Sequence, residues 1–225
     1  MNYRESRAYL NCEKRIYASD HPMGFPRLLP CEINLQEPFE MLGFNYALTE
    51  KRPQDKILHF FVDDYQFERV WNDPNKYLPV LERFKAVVMP DFSTYTDFPK
   101  VVQMFNHYRN LWLARYWQEN GITVIPNINF SDEQSFEWVF DSIPQHSAVC
   151  LSTVGCWLQK EAKRLWLLGY EQMLKRVQPK KILLYGKQFP EIQFDGELVV
   201  GRPMNLVNRE KNSDRGKPNA DSADR

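Results

Sequence analysis

Short apolar runs that each end near a polar residue alternate along this chain with longer stretches whose apolar residues recur every three or four positions, and no other feature narrows the fold as much. The runs 41–46, 58–63, 86–91, 122–128, 148–152 and 181–185 read as strands buried on both faces, with 198–200 as a seventh. The helical patterns fall at 67–71 with a second piece at 75–84, then at 99–119, 131–140 and 158–177. Within 99–119, Val101, Met104, Phe105, Tyr108, Leu111, Trp112 and Tyr116 make one stripe, which is expected to be buried. Asn120-Gly121 closes that helix, because Gly121 can take the left-handed conformation without a Cβ clash. Ser131 or Asp132 can accept the free N–H groups of the next first turn, and Gln178-Pro179 stops the last helix. Strand, helix and strand in succession imply crossovers and a mostly parallel sheet. The expected class is therefore α/β, as a short or incomplete (β/α) barrel-like arrangement, with a doubly wound open sheet as the alternative.

The ends of the chain lack this rhythm. Residues 1–38 mix Pro, Cys and charge without a period and read as an irregular N-terminal arm, followed by one α/β domain over 39–205. The polar stretch 206–225 has too little apolar surface to offset its chain entropy and reads as a disordered tail. Aromatic residues make up 14% of the chain, enough for a large core. The 29 basic and 29 acidic side chains balance, so no global positive field exists to attract nucleic acid or an anionic membrane, although a local basic patch stays open as a nucleic-acid contact. No stretch reaches the roughly 18–20 apolar residues of a membrane span, and the N-terminus lacks a signal-peptide core. These points predict a cytoplasmic protein. Cys12, Cys31, Cys150 and Cys156 are too few and too irregular for a disulfide framework and should be reduced. No cysteine or histidine has the spacing of a zinc site.

In parallel α/β folds ligands bind at the carboxyl ends of the strands, so the residues that finish each strand are the candidates. They are Asn45 after the first strand, Asp63, Asp64 and Tyr65 after the second, and Asp91 and Ser93 after the third. The fourth contributes Asn127 and Asn129, the fifth Ser152 and Thr153, and the sixth Tyr185 and Lys187. Asp63, Asp64 and Asp91 are the candidate catalytic and metal-ligating groups, since carboxylates from neighbouring strands can hold a divalent cation such as Mg²⁺ or Mn²⁺, or divide acid and base roles. Asp91 is the leading ligand or general base, Asn127 and Asn129 are substrate hydrogen-bonders, and Lys187 is an anion contact. Strand alternation allows only one of Asp63 and Asp64 to aim at a common site. The structural alternative is that Asp64 caps a helix and Asp91 closes the turn Pro90-Asp91-Phe92-Ser93. Ser152, Thr153 and Gly155 could present N–H groups to an anion before the helix that follows, or simply cap it. No dinucleotide, P-loop, serine-hydrolase or zincin motif is present, and Cys156 reads as a structural thiol.

Several segments taken in order resemble one known family: HFFVDDYQFERVW (59–71), PDFS (90–93), YRNLWLARYWQENGITVIP (108–126), SFEWVFD (135–141), LSTVGC (151–156) and LYG (184–186). This series is similar to the DUF4417 family of bacterial, archaeal and phage proteins, over about residues 30–201. Phe130 stands where Trp is expected and Ser142 where Gly is expected. The resemblance implies a phage or mobile-element context and no established reaction. Two functions follow as expectations. One is a metal-dependent hydrolase or transferase acting on a phosphate- or sugar-containing substrate, and the other is a non-catalytic protein that binds nucleic acid or a host protein.

Overall fold

A computed structural model describes residues 10–201 of the chain. Seven strands alternate with helices: β1 (Glu40–Gly43), β2 (Lys56–His59), α1 (Glu68–Asn72), α2 (Pro74–Leu81), β3 (Ala86–Val88), α3 (Lys100–Glu119), β4 (Val124–Ile125), β5 (Ala148–Ser152), α4 (Lys160–Arg176), β6 (Lys181–Tyr185) and β7 (Glu197–Gly201). All pairings are parallel. They form a four-stranded sheet in the order β1-β2-β3-β4 and a three-stranded sheet in the order β5-β6-β7. A single parallel bridge between Asn127 and Cys150 joins the two sheets. Among the described residues no ladder pairs β7 with β1, so the barrel is not closed. The edges are nevertheless close, since a Cβ on Gly201 would overlap Met41 Sδ.

Side-chain alternation divides the core in two. Leu42, Leu58, Val87, Val124, Val149, Leu151, Ile182 and Leu184 pack outward against the helices, with Trp112, Trp117 and Trp166. Met41, Ile57, Ala86, Val88, Ile125, Ala148, Cys150, Leu183 and Tyr185 pack together on the other face, with Val199 partly buried against them. One or two inward residues from every strand thus share a small interior, the packing expected of strands curled around an axis. Cys31, Ile33 and Leu35 of the N-terminal segment enter that interior. Their backbone is tied to the strand starts: Ala148 N–H donates to Cys31 O at 3.1 Å, and Lys181 Nζ donates to Ile33 O at 2.8 Å. This segment therefore plugs the amino ends of the strands.

Several predicted elements change on folding. β1 to β4 are shorter than their apolar runs, because at 44–46 the chain enters a 3-10 turn and at 60–63 and 89–91 it leaves the ladder. The helix predicted at 131–140 is only a 3-10 turn, Glu133–Glu137, although Asp132 does accept from the Ser135 N–H as a cap should. The stripe predicted for α3 is also rotated. Val101 is 72% exposed, whereas Gln103, Asn106, His107, Arg109 and Asn110 are buried with Leu111 and Trp112. Apolar periodicity misplaces that face because Gln103, Asn106, Arg109 and Asn110 find hydrogen-bond partners in the loops and turns packed against the helix. Gly121 takes φ 81° at the helix end, as its cap requires. Residues 206–225, where the polar tail is predicted, lie outside the described residues. No helix among the described residues is long and apolar enough to cross a membrane.

Candidate functional site at the carboxyl ends of the strands

Asp91 follows β3 and lies partly buried at the rim. Its Oδ1 accepts from Asn127 Nδ2 and from Asn129 Nδ2, both at 2.8 Å. Asn129 is itself oriented, because its Oδ1 accepts from Thr94 Oγ1 at 2.8 Å. Among the described residues the second carboxylate oxygen, Oδ2, has no hydrogen-bond partner, and it is not fully buried. One oxygen is thus anchored and the other presented. Desolvation pushes the Asp91 carboxyl up to about 7, and the Asp64 charge adds to the rise while the two amide hydrogen bonds oppose it. A carboxyl in this state exchanges a proton readily near neutral pH.

Asp64 has a different role. Its Oδ2 accepts from Ser93 N–H at 3.0 Å and its Oδ1 from Ser93 Oγ at 2.9 Å, so it ties the loop after β2 to the loop after β3. Ser93 O accepts from Asn106 Nδ2 at 2.6 Å, and Asn106 Oδ1 accepts from Arg109 Nη2 at 2.7 Å. Arg109 Nη1 donates to both Glu68 oxygens at 2.8 and 2.9 Å, with its guanidinium 3.7 Å from the centre of the Phe92 ring. Asn110 accepts from Phe92 N–H and donates to Phe92 O. The polar face of α3 is therefore the support that holds 91–93 in place. Asp64 does not cap a helix as the structural alternative expects: its carboxylate is engaged by Ser93, and the helix cap of this region is Asp73.

The other predicted site residues divide between the rim and its surroundings. Asn127 is buried beside Asp91, and its Oδ1 has no hydrogen-bond partner among the described residues. Asp63 is exposed and accepts only a 3.4 Å contact from Gln66, while Asn45 and Tyr65 stand in solvent. Ser152 Oγ accepts from Val154 N–H, and Thr153 Oγ1 donates to Lys187 O at 2.9 Å. The N–H groups of Thr153 and Cys156 are used by Tyr185 O and Thr153 O. The Val154 N–H is engaged as well, and α4 starts only at Lys160. The Lys187 ammonium lies 4.2 Å from the Trp157 ring centre. All four cysteines are free.

Sequence reasoning missed His59 and Phe61. Ile57 packs in the interior, so the strand period carries His59 and Phe61 to the same face. The His59 ring is tilted on Tyr185 at 4.2 Å and stacked on Phe61 at 5.3 Å, and Phe61 stacks on Tyr185 at 4.9 Å. His59 Nδ1 accepts from Phe61 N–H at 3.2 Å. Burial alone pushes the imidazole down to about 3. Burial raises the Cys150 thiol and the Tyr185 phenol, with smaller contributions from the Asp91 charge on Cys150 and from Cys150 on Tyr185, so these side chains share one end of the interior. The readable signal was the HFF triplet at 59–61, with period 2 from Ile57.

Among the described residues no three His, Cys, Asp or Glu side chains come together as a metal-holding group. The basic residues that could have formed a nucleic-acid patch are largely paired: Arg109 with Glu68, Lys163 with Glu191, Arg164 with Glu133 and Glu161, and Arg176 with Asp141. Sizeable cavities lie elsewhere, including one of about 720 Å³ beside His21, Phe140 and Arg176.

Comparison with known proteins places this geometry in a family context. The Gene 1 protein of Mycobacterium phage L5 is 39% identical over 130 residues, which is 58% of this chain and 57% of that protein. The Gene 1 protein of Mycobacterium phage D29 is 38% identical over 130 residues, 58% of this chain and 48% of that protein. The match thus spans about half the length of these curated relatives. No solved structure matches the chain. The model of a family described as a domain of unknown function (DUF4417) matches residues 17–201, and the chain belongs to that family.

Proposed function

We propose that this phage-like protein is an enzyme that works by acid–base catalysis on a sugar-containing substrate, with Asp91 as the proton-transferring group. The observation that carries the reading is the state of Asp91: one oxygen fixed by two amides, the other open at the rim, and a carboxyl poised near neutrality. Its position at the carboxyl ends of parallel strands, where α/β enzymes hold their ligands, agrees with this role. A sugar suits the lining better than a phosphate. Amides and the aromatic rings of Phe61 and Tyr185 face the interior end, whereas Lys187 is drawn to Trp157 and Arg109 to Glu68. A divalent cation is not required in this reading, since the neighbours of Asp91 are amide N–H donors rather than further carboxylates. The test is to incubate the full chain with 4-nitrophenyl glycosides and ribonucleosides and follow release of nitrophenolate or free base. Turnover that disappears in Asp91→Asn, with the variant folded, is expected. Turnover of equal rate in the variant, or none with any compound, overturns the reading.

A further inference from the structure

We infer that His59 is a second catalytic group of this site, a neutral imidazole whose Nε2–H donates a hydrogen bond to the substrate oxygen that gains negative charge while Asp91 moves the proton. This rests on the acid–base reading of Asp91. The tautomer follows from geometry. Nδ1 accepts the Phe61 N–H at 3.2 Å, so in the neutral ring the proton sits on Nε2. Among the described residues Nε2 has no hydrogen-bond partner, and although His59 is only 3% exposed this atom is not fully buried, unlike both ring nitrogens of His107. Tyr185 and Phe61 hold the plane of the ring, and no carboxylate is paired with it to favour the imidazolium. His59 ends β2 and Asp91 follows β3, the adjacent strand, so both belong to the same rim.

A neutral ring of fixed tautomer is the arrangement that stabilises developing charge without surrendering a full proton, and a pre-oriented donor needs no reorganisation as the charge builds. In the step that these two groups allow, a water or hydroxyl oxygen bonds to the reacting carbon and its proton passes to Asp91 Oδ2. The bond from that carbon to the leaving oxygen breaks, and the electron pair stays on the oxygen. His59 Nε2–H stabilises that oxygen by hydrogen bonding, and Asp91 then returns the proton to it.

The test combines spectroscopy with variants of the full chain. ¹⁵N NMR of protein labelled at histidine is expected to show a protonated Nε2 and an unprotonated Nδ1 for His59, unchanged from about pH 8 to about pH 5. A protonated Nδ1, or a ring that titrates within that range, overturns the inference without bearing on Asp91. With the 4-nitrophenyl glycosides, whose leaving atom is oxygen, His59→Phe should lower kcat by about 10²–10³-fold with little change in KM, the loss typical of one such donor. His59→Gln, whose amide N–H can reach the Nε2 position, should restore kcat to within about tenfold of wild type and guards against a folding defect in the Phe variant. Wild-type kcat in His59→Phe, with Asp91→Asn inactive, overturns the inference and leaves the acid–base reading intact. No turnover of the panel by the wild type overturns both.

Discussion

Asp91→Asn should make this protein more stable above neutral pH. An ordinary carboxyl has a value of 3.8, whereas burial in the folded chain pushes Asp91 up to about 7. Its folded value therefore lies above its unfolded value, so the unfolded chain gives up this proton first as pH rises. The stability associated with Asp91 is full below about pH 3.8 and is lost progressively up to about pH 7. At about 1.4 kcal/mol per pH unit the gap corresponds to about 4 kcal/mol. Solvent reaching Oδ2 reduces this, so the expected gain on removing the charge is about 2–4 kcal/mol at pH 8. Asparagine keeps the anchor, because its carbonyl oxygen can still accept from Asn127 and Asn129 Nδ2. Urea unfolding of both proteins at about pH 4, 6 and 8 measures the difference, and the other titrating groups cancel between them. The two curves should converge near pH 4 and separate in favour of the variant near pH 8. A variant less stable than wild type at pH 8, or a gap that does not change with pH, would refute the account of Asp91 as a desolvated acid. The same substitution should abolish activity, so stability and function would move in opposite directions at this position.

Three further outcomes follow. Arg109→Ala should lower stability by about 2–4 kcal/mol in urea unfolding, because Glu68, Asn106 and Phe92 lose their shared cation, and Arg109→Lys should recover only part since a single ammonium cannot replace the fork. His107 is buried, with neither ring nitrogen hydrogen-bonded, and desolvation, aided by His21, pushes it down to about 3. Its folded value lies below the ordinary 6.5, so it contributes a loss of stability as pH falls below about 6.5, and His107→Phe should reduce the acid slope by up to about 1.4 kcal/mol per pH unit between about pH 6 and 4. An unchanged slope would show that His107 is protonated in the folded chain. Adding Mg²⁺ or Mn²⁺ should leave the thermal unfolding midpoint unchanged, because Asp64 is engaged by Ser93 and among the described residues no three His, Cys, Asp or Glu side chains come together around Asp91. A rise that disappears in Asp91→Asn would instead establish the divalent-cation site that the carboxylates suggested from sequence.

The alternation of strand and helix patterns was enough to place β5 and β6 at their observed limits and to mark the other strands, since residues buried on both faces leave continuous apolar runs whatever their neighbours. It also pointed to Asp91, Asn127 and Asn129, because the end of a parallel strand is a local property of the chain. Which of the polar strand-end residues would meet was not local. Asp64 turned to Ser93 across 29 positions and Asn129 to Asp91 across 38, and no spacing in the sequence encodes those pairings. The rotated face of α3 has the same origin. Asn106, Arg109 and Asn110 are polar by sequence and so read as solvent-facing, yet burial is favourable once the loops after β2 and β3 supply partners. His59 shows the limit most clearly. Its place in a strand was legible, but the neutral, single-tautomer ring depends on the Phe61 backbone N–H and on Tyr185, which arrives from β6 more than a hundred residues away. Sequence by itself determined which residues leave water and in what period, because that depends on each residue's own side chain. Tertiary structure alone decided which buried polar groups are satisfied and which remain free to react, because a hydrogen bond or a pKa depends on what the rest of the chain brings within reach.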